Sequence, residues 1–444
     1  MIETDVLIIG SGPAGLAAAI EVSRSDLAVT VVEQRETIGG AIYRQAASEG
    51  PAVSHAPAVE ARWRRLAQDF EGCGITTRHG SIYLGIDGNG LAMVENRNAG
   101  RIESFSTKAL ILATGAVEKV LPRPGWQKAG VSTVGGLQVM MKETGRAPEG
   151  RILLGGSGPL LLAVAAQMAS LGNPPVAVVE AGDPLRYPLA GMKLLGYPTV
   201  LTEALFYLRR VLLRGIPWLR GTSIAGIERE ADGLAATLRD RNGAERRILV
   251  DRIGLHDGIR PNGFGLPAIS GEAGGLPVVV TAGDCREALG SVAAEADGRR
   301  CGRLIVRALQ GGQGAETSAT IDRERRIQRL LSDLFAPVDV RPLLSGLTDD
   351  TVICRCENRT VGDLKALCGK PDPLSGREIK HNGRFAMGAC QGRFCAENTA
   401  WLMAELRPEM PLPSASDLTG NRWPIRPISI GALVRAFENT IERE

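Results

Sequence analysis

Apolar and polar positions at the start of the chain follow the pattern of a strand, a helix and a second strand. Val6–Ile9 is an unbroken apolar run, as expected for a strand that is buried on both faces of a parallel sheet. Ala14–Arg24 carries small and apolar residues at helical spacing, and Ala28–Val32 is a second apolar run. This order predicts a βαβ unit at the N-terminus.

Further apolar runs and amphipathic stretches predict an α/β protein along most of the chain. Asp87–Gly90 separates two of the predicted strands and has the composition of a hairpin turn. The predicted strands are Ile82–Ile86, Leu91–Glu95, Ala109–Leu112, Arg151–Leu154, Val176–Val179 and Pro277–Thr281. The predicted helices are Ala58–Glu71, Leu160–Ser170, Ala204–Leu213, Val292–Gly298 and Ile321–Phe335.

Glycines follow the first predicted strand with the spacing G-x-G-x-x-G. Gly10 permits a tight turn, Gly12 lets the backbone approach a pyrophosphate, and Gly15 lets the helix pack close to the strand. The N-terminus of that helix presents N–H groups and the positive end of its dipole to the phosphate. Glu33 ends the second strand, where its carboxylate can accept hydrogen bonds from both ribose hydroxyls. We assign this dinucleotide site to Gly10, Gly12, Pro13, Ala14, Gly15, Glu33 and Gln34.

Three later motifs indicate which dinucleotide binds. The pair Gly39-Gly40 would let the chain pass close to a bulky ligand, and two predicted strands end in Thr114-Gly115 and Gly283-Asp284. This order resembles the two-dinucleotide-binding-domain flavoproteins over residues 1–315, and the resemblance implies FAD. It also implies that Asp284 bonds the ribityl chain and that the strand near Ile82 contacts the adenine, while an N-cap role for Asp284 stays open. The residues added to the FAD site are Gly39, Gly40, Gln45, Ile82, Thr114, Gly115, Gly283, Asp284 and Gly290.

Residues 116–250 predict a second α/β unit that repeats the opening pattern. Gly156 and Gly158 follow a predicted strand, and Glu180 follows the next strand. Leu161 takes the place of the third glycine, which would push the helix and the strand apart. One interpretation is an adenine-nucleotide site for ATP, ADP or NAD(P), formed by Gly156, Gly158 and Glu180. The other is a fold that is kept for structure alone.

Composition narrows the class of protein. The 444 residues are 44% hydrophobic and 23% charged, as is typical of a soluble globular chain of two or three domains. The formal net charge of +3 is too small to argue for a nucleic-acid partner. No apolar run has the length of a membrane span, and no signal peptide is evident, so we expect a cytoplasmic protein for which a peripheral membrane contact stays open.

Four cysteines near the C-terminus have the spacing of metal ligands. Cys354 and Cys356 form C-x-C, and after 33 residues Cys390 and Cys395 form C-x4-C. Four thiolates suit a [2Fe-2S] cluster or a structural zinc ion, and C-x-C is less common in zinc fingers. The pattern resembles the helical [2Fe-2S] domain of bacterioferritin-associated ferredoxin, although its last pair is spaced more widely. We interpret Cys368, between the pairs, as a packing residue.

The whole chain resembles one family, the α subunits of opine oxidase, hydrogen cyanide synthase and the D-hydroxyproline and proline dehydrogenases. The stretches that carry the resemblance are Gly39–Gln45, Gly258–Asn262, Gly388–Cys395 and Arg422–Ile428. It implies an α/β two-dinucleotide-binding-domain flavoprotein, with a Rossmann-like FAD domain, an inserted nucleotide-binding-like domain and a small C-terminal helical [2Fe-2S] domain. The predicted domains are 1–115 with 251–315 (FAD), 116–250 (insert), 316–350 (helical linker), 351–410 ([2Fe-2S]) and 411–444 (tail).

The resemblance also implies a partner, a second flavoprotein subunit that resembles D-amino acid oxidase and oxidises an amine, an opine or an imino acid. The chain itself would then relay electrons between the partner's flavin, the cluster and its own FAD to an acceptor. No residue stands out as an amine-binding acid or base. The alternatives are an NAD(P)H-dependent ferredoxin-type reductase and a cofactor-bearing scaffold subunit without turnover of its own. A thioredoxin-reductase type of chemistry is disfavoured, because no cysteine lies between Cys73 and Cys285.

Overall fold

A computed structural model of the protein describes residues 1–46, 53–266, 277–312, 317–338, 343–411, 413–420 and 423–441. Arg422, the first residue of the tail stretch that carries the family resemblance, therefore lies outside the described residues. No helix within the described ranges is both long and apolar enough to cross a membrane.

The FAD-type domain is built on a mostly parallel sheet in the order β3-β2-β1-β6. On the other side of β6, β17 pairs parallel with its second half and β5 pairs antiparallel with its first half, while β4 pairs antiparallel with β5. The strands are β1 (Ile2–Ile9), β2 (Val29–Val32), β3 (Thr76–Arg78), β4 (Ser81–Ile86), β5 (Leu91–Asn96), β6 (Arg101–Leu112) and β17 (Val278–Thr281). The helices are α1 (Pro13–Val22), α2 (Pro57–Glu71) and α7 (Ser291–Leu309).

Strand β1 lies at the centre of this sheet, paired with β2 on one side and β6 on the other. Its residues Val6, Leu7 and Ile8 are fully buried, which confirms the strand predicted from the apolar run. Helices α1 and α7 pack against each other closely. A Cβ atom on Gly298 would lie 2.1 Å from the Ala14 carbonyl oxygen, so this approach requires a glycine.

The inserted unit has a parallel sheet in the order β11-β10-β9-β15-β8 and an antiparallel sheet β12-β13-β14. Strand β15, which follows the predicted end of the insert at residue 250, pairs with β8 and β9 of this parallel sheet. The elements are β7 (Ala116–Glu118), β8 (Val131–Thr133), α3 (Val134–Thr144), β9 (Ile152–Gly156), α4 (Leu160–Ser170), β10 (Ala177–Glu180), α5 (Pro188–Met192), α6 (Pro198–Leu213), β11 (Trp218–Arg220), β12 (Thr222–Glu230), β13 (Gly233–Asp240), β14 (Glu245–Val250), β15 (Arg252–His256) and β16 (Ile259–Pro261).

The C-terminal part begins with a long helix and continues as a small, mostly helical unit around its own core. The elements are α8 (Ala319–Leu334), β18 (Val352–Cys354), β19 (Arg359–Thr360), α9 (Val361–Cys368), α10 (Gly376–Gly383), α11 (Ala396–Leu406), α12 (Ala415–Thr419) and α13 (Ile430–Ile441). In the predicted tail, Leu418 packs into the core of this unit. Ile425 packs instead against the FAD-type sheet, where its N–H donates to the Leu84 carbonyl at 2.9 Å.

The predicted element types hold, and the differences lie at element ends. The hairpin is confirmed as β4 and β5, which pair antiparallel. The helix predicted at Ala204–Leu213 starts at Pro198, and the one predicted at Val292–Gly298 runs on to Leu309. Both extensions contain charged or polar positions that weaken the apolar pattern used to set the prediction.

Candidate functional site

In the first glycine loop, the fold requires glycine at two positions, whereas a third glycine faces open space. A Cβ atom on Gly15 would lie 1.8 Å from the Gly10 carbonyl oxygen, and Gly10 itself has a φ of +101°. A Cβ atom on Gly12 would meet only the Gly40 Cα, at 3.8 Å. Gly10 and Gly15 therefore serve the turn and the helix contact, whereas Gly12 borders a cradle that a side chain would fill.

The N-terminus of α1 opens onto this cradle. Gly12 is the N-cap, makes no side-chain hydrogen bond, and is followed by Pro13 and Ala14 in the first turn. Because glycine supplies no capping oxygen, the first N–H groups of the helix are available to an anion.

Glu33 is buried beside the same loop. Its carboxylate accepts hydrogen bonds from the Ser11 N–H at 2.8 Å, the Ser11 hydroxyl at 2.6 Å and the Arg35 N–H at 3.0 Å. These bonds hold the carboxylate at the end of β2, while the neighbouring Gln34 is exposed. Ile82 is buried in β4, and the Ser81 N–H before it donates to the Glu33 carbonyl at 2.9 Å. The predicted acidic residue and adenine strand thus lie next to each other.

The stretch from Gly39 to Gln45 forms another wall of this cradle and is anchored by a side chain of the inserted unit. A Cβ atom on Gly40 would lie 2.9 Å from the Gly12 Cα, and the Gln45 amide donates to the Tyr43 carbonyl at 2.6 Å. Lys142, on α3, is buried and donates to the carbonyls of residues 41 and 42 at 3.2 and 2.8 Å. Burial lowers the pKa of Lys142 to about 7. Sequence reasoning missed Lys142, since it is distant along the chain from the loop that it anchors.

The ends of β6 and β17 bring two further predicted motifs to the same edge of the sheet. The Thr114 hydroxyl donates to the Asn262 carbonyl at 2.8 Å, and the Asn262 N–H donates to the Gly115 carbonyl at 3.0 Å. A Cβ atom on Gly115 would meet nothing within 4 Å. The Thr114-Gly115 turn therefore also faces open space.

Asp284 is not the N-cap of α7, because the helix begins at Ser291 and its N-cap is Gly290. Its Oδ1 accepts hydrogen bonds from the N–H groups of Leu289 at 3.0 Å and Gly290 at 2.9 Å. Burial is the main cause that raises the pKa of Asp284. The preceding Gly283 packs on α1, since a Cβ atom there would lie 2.5 Å from the Ala14 Cβ.

The second glycine loop is packed more tightly against the protein. A Cβ atom on Gly156 would lie 1.7 Å from the His256 carbonyl oxygen, and Leu161 is fully buried in the core of the insert. Glu180 is also fully buried and accepts from the N–H groups of Gly158 at 3.2 Å and Gly182 at 3.1 Å. Burial raises the pKa of Glu180 to about 8.

A segment from the C-terminal part lies across this second loop. The Ser157 hydroxyl donates to the Phe335 carbonyl, and a Cβ atom on Gly182 would lie 2.6 Å from that same oxygen. The Val338 N–H donates to the Ala181 carbonyl at 3.0 Å, and Gly182 forms an antiparallel bridge with Pro337. Residues 335–338 therefore occupy the rim between the glycine loop and the end of β10.

His256 and Glu118 form a pair that sequence reasoning missed. The His256 Nδ1 lies 2.8 Å from the Glu118 Oε1, and both side chains are largely buried. The two residues are 138 positions apart, so no local spacing could reveal the pair.

The four predicted cysteines come together in the C-terminal unit as two pairs of thiols. Hydrogen bonding from Cys395 is the largest cause that lowers the pKa of Cys354 to about 6, and the same contact raises the pKa of Cys395 well above its usual range. Cys356 and Cys390 form the other pair, and burial is the main cause that raises the pKa of Cys356. Cys368 is buried in the surrounding core, as its packing role predicts.

Backbone N–H groups converge on these sulfurs. Cys354 receives them from Cys356, Glu357 and Ala386, and Cys395 also receives one from Ala386. Within the described residues, the non-glycine positions with left-handed backbone are Asn358, Arg384, Ala386 and Gln391. Such backbone is strained in ordinary residues and collects at functional sites, where it can aim N–H groups. In the same described ranges, no three His, Cys, Asp or Glu side chains surround one point as the ligands of a single metal ion do.

The thiol unit is attached to the inserted unit, through β16 and through residues that follow the Gly115 turn. The Arg260 guanidinium donates to the Arg393 carbonyl, between the last two cysteines, and lies 3.2 Å from the Glu397 carboxylate. The Trp126 indole N–H donates to the Val352 carbonyl at 2.6 Å. The Asn398 amide donates to a backbone carbonyl at residue 120 at 3.0 Å.

The family model described as pyridine nucleotide-disulphide oxidoreductase matches residues 4–286, which is more than half of the chain and contains both glycine loops. The chain belongs to the pyridine nucleotide-disulphide oxidoreductase family. Its α/β fold, with a Rossmann-like sheet, is that of an FAD-dependent oxidoreductase.

Two relatives are similar to this chain over most of its length, and both are named as subunits. An opine oxidase subunit from Agrobacterium tumefaciens is 29% identical, over 97% of this chain and 91% of that one. Hydrogen cyanide synthase subunit HcnB from Pseudomonas aeruginosa is 32% identical, over 88% of this chain and 90% of that one. A crystal structure of L-proline dehydrogenase from P. horikoshii has the same fold, with a TM-score of 0.63 at 18% identity, covering 97% of this chain and 79% of that one.

Proposed function

We propose that the chain is the electron-relaying subunit of a hetero-oligomeric flavoprotein dehydrogenase that acts on an amine, an opine or an imino acid. A partner subunit oxidises the substrate, and this chain passes the electrons on through FAD and a [2Fe-2S] cluster. The proposal is supported by the names of the relatives, which are subunits of such oxidoreductases, and by the arrangement of the two candidate cofactor sites.

The observation that carries the proposal is that one short segment, residues 260–262, forms hydrogen bonds with both sites. Asn262 hydrogen-bonds the backbone at Gly115, and Arg260 hydrogen-bonds the loop between Cys390 and Cys395. The two linking residues are separated by one residue, so their Cα atoms are at most about 7 Å apart. A cofactor beside Gly115 and one held by the thiols would therefore lie close enough to exchange electrons.

The residues of the first site suit FAD. Gly12 and the uncapped N-terminus of α1 would receive the pyrophosphate, Glu33 the adenosine ribose, and Asp284 the ribityl chain. Gly115 would allow the flavin to approach the backbone. When bound, FAD supplies two-electron acceptance and the cluster supplies one-electron transfer. The role of this chain's residues is to orient both groups and to keep them close.

The thiol set suits a two-iron cluster better than a zinc ion. Zinc needs four ligands around one point, whereas the thiols form two pairs, as the two irons of a [2Fe-2S] cluster require. Cys354 with Cys395 would form one pair of ligands and Cys356 with Cys390 the other. The N–H groups that point at the sulfurs would raise the reduction potential, because they stabilise added negative charge.

The partner would be a second flavoprotein subunit that resembles D-amino acid oxidase. The main alternative, an NAD(P)H-dependent reductase, would need the second glycine loop to bind the nicotinamide nucleotide. Residues 335–338 lie on the rim of that loop and Leu161 fills the core behind it, so both observations disfavour the alternative. An ATP or ADP molecule as a structural ligand would meet the same obstacle.

The test is coexpression of the chain with a flavoprotein subunit that resembles D-amino acid oxidase, followed by an anaerobic amine screen. The proposal predicts copurification at a fixed ratio and amine-driven bleaching of FAD in this chain only when the partner is present. A purified single chain that oxidises amines at the full rate would contradict the relay role. Faster bleaching by NADH than by any amine would favour the reductase instead.

A further inference from the structure

Lys142 is a buried cation at the boundary between the inserted unit and the first cofactor cradle. The residue, on α3, is 4% exposed. Its ammonium donates to the carbonyls of Ala41 at 3.2 Å and Ile42 at 2.8 Å, and to the Gln138 Oε1 at 3.2 Å. An ammonium has three N–H donors, so these acceptors use all of them. Two of the three belong to the Gly39–Gln45 wall of the cradle rather than to the inserted unit.

The charge of Lys142 has no carboxylate partner. Among the residues that the structure describes, no carboxylate oxygen lies within 4 Å of its ammonium. The neighbouring Glu143 carboxylate pairs instead with Arg35 at 3.0 Å and Arg44 at 3.2 Å. Burying an ammonium without an opposite charge is unfavourable, and an apolar side chain of similar length would fill the same space. Packing alone therefore does not explain a lysine at this position.

The other groups that face Lys142 do not neutralise it. From the wall, Arg44 is largely buried and adds a second positive charge. From the segment before α2, burial and the Lys142 charge lower the pKa of His55 to about 4, so its ring is neutral at pH 7. Helix α4 presents the neutral amide of Gln167 to α3. Since Glu143 is shared between two arginines, positive charge predominates around Lys142.

The wall that Lys142 holds faces the space proposed for the pyrophosphate. A Cβ atom on Gly40 would lie 2.9 Å from the Gly12 Cα, and Gly12 borders that space. The two carbonyls that Lys142 binds follow Gly40 directly in the chain. Within the FAD-type domain, the wall is held by Tyr43, which stacks on Trp63 with ring centroids 5.0 Å apart. Lys142 adds an anchor from the inserted unit, one to two residues from Gly40.

We propose that Lys142 is a positioning residue for FAD, whose ammonium fastens the Gly39–Gln45 wall to the inserted unit and places a positive charge beside the pyrophosphate. The inference rests on the proposed FAD site, and it makes cofactor affinity depend on a side chain of the inserted unit.

The position of Lys142 predicts that FAD binding is linked to a proton. The pyrophosphate is negatively charged, so it favours the charged form of Lys142. Burial holds the pKa of Lys142 in the free chain at about 7. Above pH 7, FAD binding should therefore take up a proton, and affinity should fall as pH rises from 7 to 9. For one proton, the fall cannot exceed about tenfold per pH unit.

Titration of the FAD-free full chain with FAD tests the inference, with flavin fluorescence as the measure of affinity. Lys142→Met should weaken binding about tenfold at pH 6.5, because a charged hydrogen-bond donor is lost, and should remove the fall in affinity between pH 7 and 9. The melting temperature of the FAD-free variant should not decrease, because a buried charge is removed. The carbonyls of Ala41 and Ile42 can turn to water, since both residues are exposed.

The matched control is Lys108→Met, since Lys108 is exposed on β6 and pairs with Asp5 at 2.7 Å. This variant should keep the affinity and the pH dependence of the unaltered chain. An unaltered chain whose affinity is constant from pH 7 to 9 would overturn the inference without any variant. Unchanged affinity or persisting pH dependence in Lys142→Met would also overturn it, as would a melting temperature that falls together with affinity. An unaltered chain that binds no FAD would instead contradict the proposed function itself.

Discussion

At the scale of single residues, we expect Gly12 of the first glycine loop to affect cofactor binding and Gly15 to affect folding. A Cβ atom at position 12 meets only the Gly40 Cα at 3.8 Å, whereas one at position 15 overlaps the Gly10 carbonyl. We expect Gly12→Val to fold normally and to lose most of its FAD, because its branches enter the space proposed for the pyrophosphate. An overlap that costs only about 1.4 kcal/mol would weaken binding about tenfold. FAD per chain, measured after heat release, checks this.

The control is Gly88→Val, since a Cβ atom on Gly88 in the β4–β5 turn would meet nothing within 4 Å. This variant should keep its FAD. Gly15→Ala should instead lower the melting temperature, because its Cβ has no room. Full FAD content in Gly12→Val would mean that the pyrophosphate does not approach this position.

The burial of Glu180 predicts how the stability of the folded chain depends on pH. Burial raises its pKa from 4.5 to about 8, so the folded chain holds a proton that the unfolded chain has already released. Stability should therefore fall as pH rises from about 4.5 to about 8, by about 1.4 kcal/mol for each unit of pKa difference. Glu180→Gln should be less sensitive to pH over this window, as urea unfolding at pH 5 to 8 would show.

The matched control for that measurement is Glu60→Gln, since Glu60 is exposed on α2. Its stability should follow the pH dependence of the unaltered chain. The same dependence in Glu180→Gln would mean that the Glu180 carboxylate is ionised in the folded protein at neutral pH.

Local spacing in the sequence was enough to select residues that the structure brings together. The Glu33 carboxylate lies against Ser11 of the glycine loop, and Cys354 lies against Cys395 in the C-terminal unit. Their roles in binding cofactors stay predictions. Lys142 and the His256–Glu118 pair could not be found in this way. They depend on contacts between residues about 100 or more positions apart, which only the tertiary fold creates.

At the scale of elements, the segment 335–338 lies across the rim of the second glycine loop. Its Phe335 carbonyl oxygen accepts a hydrogen bond from the Ser157 hydroxyl and lies close to Gly182, so a nucleotide proposed to bind at this loop would meet the segment. We expect NADH and NADPH to reduce the flavin poorly, more slowly than turnover driven by an amine with the partner present. Stopped-flow absorbance at the flavin band measures both rates. Reduction by NADH that outpaces amine turnover would show that the segment moves aside or does not block the site.

Sequence patterns predicted the type of the elements that they identified, but not this contact. The helix at Ile321–Phe335 was predicted from its apolar stripe and is observed at Ala319–Leu334. The residues that follow it carry no motif, because their backbone carbonyl and N–H groups make the contacts. Backbone contacts of this kind cannot be predicted from the residue types of the segment.

At the scale of the whole molecule, the proposed electron relay requires one chain to hold two redox groups close together. The order of the glycine motifs and the cysteines along the chain is visible in the sequence. The contacts near the cysteine unit are not, because Arg260, Asn262 and Trp126 donate side-chain hydrogen bonds to backbone carbonyls of residues that are more than 130 positions away.

Analysis of iron and acid-labile sulfide in anaerobically purified chain tests this claim most directly. The account predicts about two of each per chain, visible absorbance and a paramagnetic signal on reduction. Cys390→Ser should lose all of these, because a hydroxyl is a poor ligand for iron, while Cys368→Ser, altered in the same core, should keep them. About one zinc ion per chain without iron or sulfide, or an intact cluster in Cys390→Ser, would contradict the account.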